Sequence, residues 1–111
     1  MMDELDFRDR ADKALTSLQR ALERASDRFD FEVDGKEGAL TIEFDDPPAR
    51  FVISPNSPVR QIWVSARVKS FKLDWNAERS EFVFPADGRS LQKLIGDVVG
   101  EQLGETVELT G

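Results

Sequence analysis

The apolar residues of this chain change period twice, and few folds can satisfy both changes. From about Asp3 to Arg28 they recur at three- and four-residue steps: Phe7, Ala11, Ala14, Leu15, Leu18, Leu22 and Ala25. That spacing predicts one apolar stripe on a helix, and no Gly or Pro interrupts it. At Phe29 the period drops to two. Phe29, Phe31 and Val33 alternate with Asp30, Glu32 and Asp34, which predicts a strand with one apolar face. Alternation continues through ALTIEF (Leu40, Ile42 and Phe44 inward), RFVIS (Phe51, Ile53), RQIWVSA (Ile62, Val64), KSFKLDW (Phe71, Leu73, Trp75) and EFVF (Phe82, Phe84). Turn formers separate these runs at Asp34–Gly38, Asp45–Pro48, Pro55–Pro58 and around Asn76–Glu78. The helical period returns after Ser90, a predicted N-cap, with Leu91, Leu94, Ile95, Val98, Val99 and Leu103. Gly104 is placed to end that helix, and Val107 and Leu109 in the tail to return to the core.

One helix, about six strands and one helix follow in order. Tight turns between strands imply antiparallel neighbours. A sheet with one apolar face and two helices with one apolar stripe each close most simply in two layers, with both helices on the same sheet face. The expected fold is therefore α+β, an α-β sandwich. With 111 residues and no linker, repeat or low-complexity segment, it is expected to be a single domain over residues 1–111.

Composition removes several chemistries. Cysteine and histidine are both absent, so thiolate catalysis, Ser-His pairs, disulfides and Cys/His zinc sites are excluded. Any metal must bind through oxygen. A formal net charge of −7 argues against nucleic acid or an anionic membrane as partner, because phosphate contacts need clustered Lys and Arg. No apolar run approaches the roughly 20 residues of a membrane span. The stretch MMDELDFRDRADK lacks the apolar centre of a signal peptide, and a cytoplasmic location is expected. There is no phosphate-binding loop or dinucleotide fingerprint, and no catalytic set stands out from the many carboxylates. An enzyme is not expected.

Two surface features remain. If Ile62 and Val64 face the core, Trp63 shares the other sheet face with Gln61, Ser65, Thr41, Glu43, Lys72 and Asp74. A large aromatic there is either a contact anchor or a cover for its cross-strand neighbours. The second feature is charge segregation on the first helix. At about 100° per residue, Asp9, Asp12, Glu23 and Asp27 fall on one flank, and Arg10, Lys13, Arg20, Arg24 and Arg28 fall towards the other. The acidic flank continues into Asp30, Glu32 and Asp34, while Asp3, Glu4 and Asp6 stand where they stabilise the positive end of the helix dipole. This is either a solvated face with local ion pairs, such as Asp9–Lys13 four residues apart and Glu23 with nearby Arg20 or Arg24, or an acidic ridge. A ridge of exposed carboxylates suits hard cations held weakly with water retained, or a basic partner.

The residues LTIEF, FVIS, PVRQIWVSA, FKLDW, DGRSLQKLI and GETV, together with the acidic first helix, resemble the bacterial frataxin family, the CyaY-like branch, over essentially the whole chain. The most specific part is QIW followed by Ser65 and Ala66, then an aromatic strand ending in DW. The resemblance implies the same two-layer fold and a role in iron–sulfur cluster assembly. It implies iron, Fe2+ or Fe3+, weakly bound by carboxylates, and docking on the cysteine desulfurase and the scaffold protein to modulate sulfur transfer and cluster formation. It also implies a monomer that metal can drive into oligomers. The family's ridge carries over to Asp9, Asp12, Glu23, Asp27, Asp30, Glu32 and Asp34, with Asp3, Glu4 and Asp6 at its amino end and Glu43 and Asp45 as extensions. The sheet contact surface carries over to Gln61, Ile62, Trp63, Lys72 and Glu43, and to Ser54 and Asn56, where the family often has Asn and Gln. Arg20, Arg24 and Arg28 dilute the ridge, so fewer or weaker cation sites are expected than the acid count suggests. The first expectation is thus an iron-binding regulator or adaptor of cluster assembly. The alternative is an acidic interaction module with no physiological iron role. Ferroxidase chemistry ranks last, because exposed helix and strand ends are poor at holding two irons close together.

Overall fold

A computed structural model describes residues 2–45 and 48–109 of the chain. Its elements are α1 (Glu4–Ala25), β1 (Glu32–Lys36), β2 (Ala39–Asp45), β3 (Pro48–Asn56), a 3-10 turn (Ser57–Val59), β4 (Gln61–Ala66), β5 (Lys69–Asn76), β6 (Glu81–Val83) and α2 (Leu91–Leu103). The six strands form one antiparallel sheet in chain order, β1 to β6. The inward side chains are those that alternation assigns. Leu40, Ile42, Phe44, Phe51, Ile53, Ile62, Val64, Leu73 and Phe82 are all buried in one core with the stripes of α1 and α2. Both helices therefore lie on the same sheet face. Among the described residues, no helix is long and apolar enough to cross a membrane.

Local chemistry explains the helix ends. The Asp3 carboxylate accepts a hydrogen bond from the Asp6 backbone N–H at 2.8 Å, and Glu4 and Asp6 lie in the first turn. The stripe runs through Phe7, Ala11, Leu15, Leu18, Leu22 and Ala25, and Phe7 meets Phe82 of the sheet edge-on at 5.9 Å between ring centres. At the start of α2, Ser90 accepts from the Lys93 N–H at 3.2 Å. At its end, Gly104 adopts a left-handed φ of 70° and donates to the Gly100 carbonyl. Val107 is buried and Leu109 half-buried, so the tail packs back as expected, while residues 110 and 111 lie outside the described chain.

Four boundaries differ from expectation. α1 stops at Ala25, not Arg28, and the alternating Phe29 and Phe31 sit in the connector rather than in a strand. Phe31 is buried against Phe44 at 5.9 Å, which satisfies its apolar demand without strand pairing. β1 begins only at Glu32 and runs through Gly35 and Lys36, which pair with Leu40 and Ala39. The turn is Glu37–Gly38 alone, with φ of 54° and 80°, the two left-handed residues of a tight hairpin. β3 also runs through Pro55 and Asn56, both expected in a loop. β2 pairs with β3 only as far as Ile53, so the missing N–H of Pro55 lies beyond the end of β2 and breaks no ladder bond there. The turn expected at Asp45–Pro48 falls partly on residues 46 and 47, outside the described chain.

Candidate functional site

The sheet face away from the helices carries the side chains that antiparallel register aligns across it. Ser54 on β3, Trp63 on β4 and Lys72 on β5 stand side by side. One row along the strands, Asn56, Gln61 and Asp74 do the same. Trp63 is 37 % exposed, an uncommon fraction for so large an apolar side chain on a sheet. It is nevertheless held. Its indole Nε1–H donates to Gln61 Oε1 at 3.0 Å, and Gln61 Nε2 donates in turn to Asp74 Oδ1 at 2.9 Å. The Lys72 ammonium lies 4.8 Å from the ring centre, a cation–π distance. Both sequence readings of Trp63 have a part in this geometry: the ring covers its neighbours, and it leaves a third of its surface open.

Ile62 does not belong to this surface. It is fully buried, because strand parity sends it to the face opposite Gln61 and Trp63. Its side chain is part of the core and cannot touch a partner. Ser54 and Asn56 are half-buried on the open sheet face, and Glu43 is exposed two strands from Trp63. Asp74 is the residue that sequence reasoning placed on this face without a role. The signal that could have found it is the β4–β5 hairpin register, which puts it directly opposite Gln61.

The ten ridge carboxylates, Asp3, Glu4, Asp6, Asp9, Asp12, Glu23, Asp27, Asp30, Glu32 and Asp34, are all exposed. They do not converge. α1 has 22 residues, a length of about 33 Å at the usual rise, so Asp3, Glu4 and Asp6 are far from Asp27 and Asp30. Glu4 pairs with Arg8 at 3.2 Å and Asp9 with Lys13 at 3.1 Å, both as exposed i,i+4 pairs. Asp12 lies over the β1–β2 turn, in a hollow shared with Gln19, Lys36 and Glu37. Glu32 and Glu43 are direct cross-strand neighbours, and Glu43 faces Arg50 on its other side. Among the described residues, no three Asp or Glu side chains come close enough to hold a metal ion together. The donors are oxygen, which suits hard cations, but among the described residues they form no ready-made cage.

The charge segregation of α1 maps onto the two edges of the molecule. Asp12 and Gln19 overlie the β1 edge, while Arg10 lies 4.6 Å over the Trp75 ring and lines, with Lys13, a groove towards β6 and α2. The acidic edge therefore borders the open sheet face. Three strand spacings, about 14 Å, separate β1 from Trp63 on β4.

A family model described as a frataxin-like domain matches residues 1–105. The chain is 30 % identical over 96 residues to the iron-sulfur cluster assembly protein CyaY of Azotobacter vinelandii, covering 85 % of this chain and 86 % of that protein. It is 33 % identical over 101 residues to the protein of the same name from Ralstonia nicotianae, covering 89 % and 87 %. Among solved structures, a frataxin from Psychromonas ingrahamii superposes with a TM-score of 0.84 over 99 % of this chain and all of that one. The two share 21 % identity, so that likeness bears on the fold.

Proposed function

The chain belongs to the frataxin-like family, and from that premise we propose that it acts in iron–sulfur cluster assembly as an iron-binding regulator or adaptor rather than an enzyme. It docks on the cysteine desulfurase–scaffold complex through the open sheet face and the acidic edge beside it. The names of its relatives support the pathway. The single observation that supports docking at this face is Trp63, exposed yet fixed by Gln61 and Lys72. A rigid aromatic loses little entropy when it fills a partner pocket, and such residues dominate binding energy. Ser54, Asn56 and Lys72 surround it as polar contacts, and Glu43 joins the face to the ridge. Iron is cargo or signal here, held weakly by exposed carboxylates in a cytoplasmic monomer that metal can drive to associate.

Titration calorimetry against the desulfurase and scaffold from the same cell, with and without iron(II), tests this. Trp63→Ala is expected to cost about 2 kcal/mol or more of binding while the fold persists. Unchanged affinity removes Trp63 from the site.

A second reading has its own support. With no three carboxylates converging among the described residues, the ridge serves equally as a plain acidic surface for a basic partner, with no physiological iron role. Identical partner affinity with and without iron(II), and no ridge-confined chemical-shift change on adding it, would favour that reading.

A further inference from the structure

The geometry points to Asp74 as the positioning residue that fixes Trp63 for docking, acting through the Gln61 amide. This inference rests on the docking reading above and adds to it a residue that acts through another. The chain of donors runs one way. Trp63 Nε1–H donates to Gln61 Oε1 at 3.0 Å, and Gln61 Nε2–H donates to Asp74 Oδ1 at 2.9 Å. An indole N–H only donates and a carboxylate only accepts, whereas a primary amide does both, from opposite ends. Gln61 can therefore bridge the two in one orientation alone. Turned over, its oxygen would face the Asp74 carboxylate and its NH2 would face the indole N–H, and both contacts would be repulsive. Asp74 thus sets which end of Gln61 is presented to Trp63, and that end holds the ring.

Register makes this possible. Gln61 and Asp74 are direct partners across β4 and β5, while Gln61 and Trp63 are two apart on one strand and so share a face. Asp74 is half-buried in the pleat, where a hydrogen bond to a charged group is shielded from water and retains more of its strength than on an open surface. The Lys72 ammonium, 4.8 Å from the ring centre, confines the ring further. The consequence is pre-organisation: the rotamer that meets the partner is already held in the free protein, and the ordering cost at binding falls.

The experiment is a mutant cycle with a spectroscopic readout on the full chain. Asp74→Asn replaces the carboxylate with an isosteric amide that donates as readily as it accepts, so the direction of the bridge is lost. Asp74→Ala removes it. The indole Nε1–H signal of Trp63, assigned by its disappearance in Trp63→Ala, is expected to shift and to exchange faster with solvent in both variants. Desulfurase binding is expected to weaken about fivefold, the scale of coupling within one hydrogen-bonded network, and the loss is expected to vanish when either Trp63→Ala or Gln61→Leu is already present. An unchanged indole signal, or full affinity in both Asp74 variants where Trp63→Ala binds weakly, overturns the role. So does an equal loss in the Trp63→Ala background, which would make Asp74 a partner contact in its own right. If Trp63→Ala itself binds as tightly as wild type, the docking reading fails and this role falls with it. Should Asp74→Ala unfold, Asp74→Asn and Gln61→Leu decide the matter.

Discussion

A methyl group added at Gly100 would lie 2.6 Å from the carbonyl oxygen of Glu105, and one at Gly96 would lie 2.9 Å from that of Val107. Both obstacles are backbone, so neither can step aside as a flexible side chain would. Alanine in mid-helix would otherwise gain up to about 1 kcal/mol over glycine. Here the tail must lift from α2, and Val107 must give up its buried position. Gly100→Ala is therefore expected to destabilise by about 1–3 kcal/mol, the usual cost of overpacking, measurable in urea unfolding. A net gain in stability would show that the tail is not packed on α2. The neighbours Ile62 and Trp63 make a second residue-scale contrast. Ile62→Ala empties a fully buried site and is expected to cost about 2–5 kcal/mol, whereas Trp63→Ala should leave the thermal midpoint nearly unchanged and act on binding. Strand parity in QIWVSA foretells that split. What it does not carry is the Gln61–Asp74 bond, because that depends on which residue of another strand stands opposite, and the β4–β5 turn that sets this has a non-glycine left-handed residue, Arg67, at φ 59°.

The elements were legible where one face is buried and obscure where none is. ALTIEF alternates in burial as it does in sequence, but β1, EVDGK, is an exposed edge with only Val33 half-buried, so no pattern marks its ends. The connection from β6 to α2 shows what sequence spacing alone misses. Arg89 bonds Asp87 at 2.8 Å and Asp97 at 3.1 Å, and Lys93 reaches Asp97 at 3.1 Å, which ties the loop before α2 to the helix itself. Burial would raise the Asp97 pKa, but the hydrogen bonds from Lys93 and Arg89, with their charges, outweigh it and hold it below the usual aspartate range. A folded-state pKa below the unfolded one means that this stabilisation is present above about pH 4, the unfolded aspartate value, and is lost as pH falls through the folded value. Arg89 shifts the other way, upward: burial lowers its pKa, and the bonds to Asp97 and Asp87, with their charges, raise it more. Its contribution is thus present at all ordinary pH. Asp97→Asn is expected to lower stability at pH 7 and to flatten its fall below about pH 4. Parallel wild-type and mutant curves over that acid range would remove Asp97 from the acid transition.

At the scale of the molecule, the question is how a surface with formal net charge −7 finds its partner. Charge separated by more than about 8 Å of physiological salt is largely screened. A ridge some 33 Å long therefore acts in segments. One of them is the connector after α1 with the edge strand it enters, where Asp27 and Asp30 lead into Glu32 of β1, which stands opposite Glu43 of β2. The amino end is a poor place to test this, because Asp3 caps the helix and Glu4 and Asp9 are already paired. Reversing Asp27 and Asp30 to Lys leaves those supports in place. If the partner surface is basic, the double reversal should slow association by about tenfold at low salt, within the range that electrostatic steering spans, and flatten the dependence of the rate on ionic strength. The dissociation rate should change little, since rim charges act on approach and the aromatic anchor acts on residence. Stopped-flow association across a salt series separates the two. Equal rates for wild type and variant at low salt would place the steering charge elsewhere and leave the ridge free for cations alone.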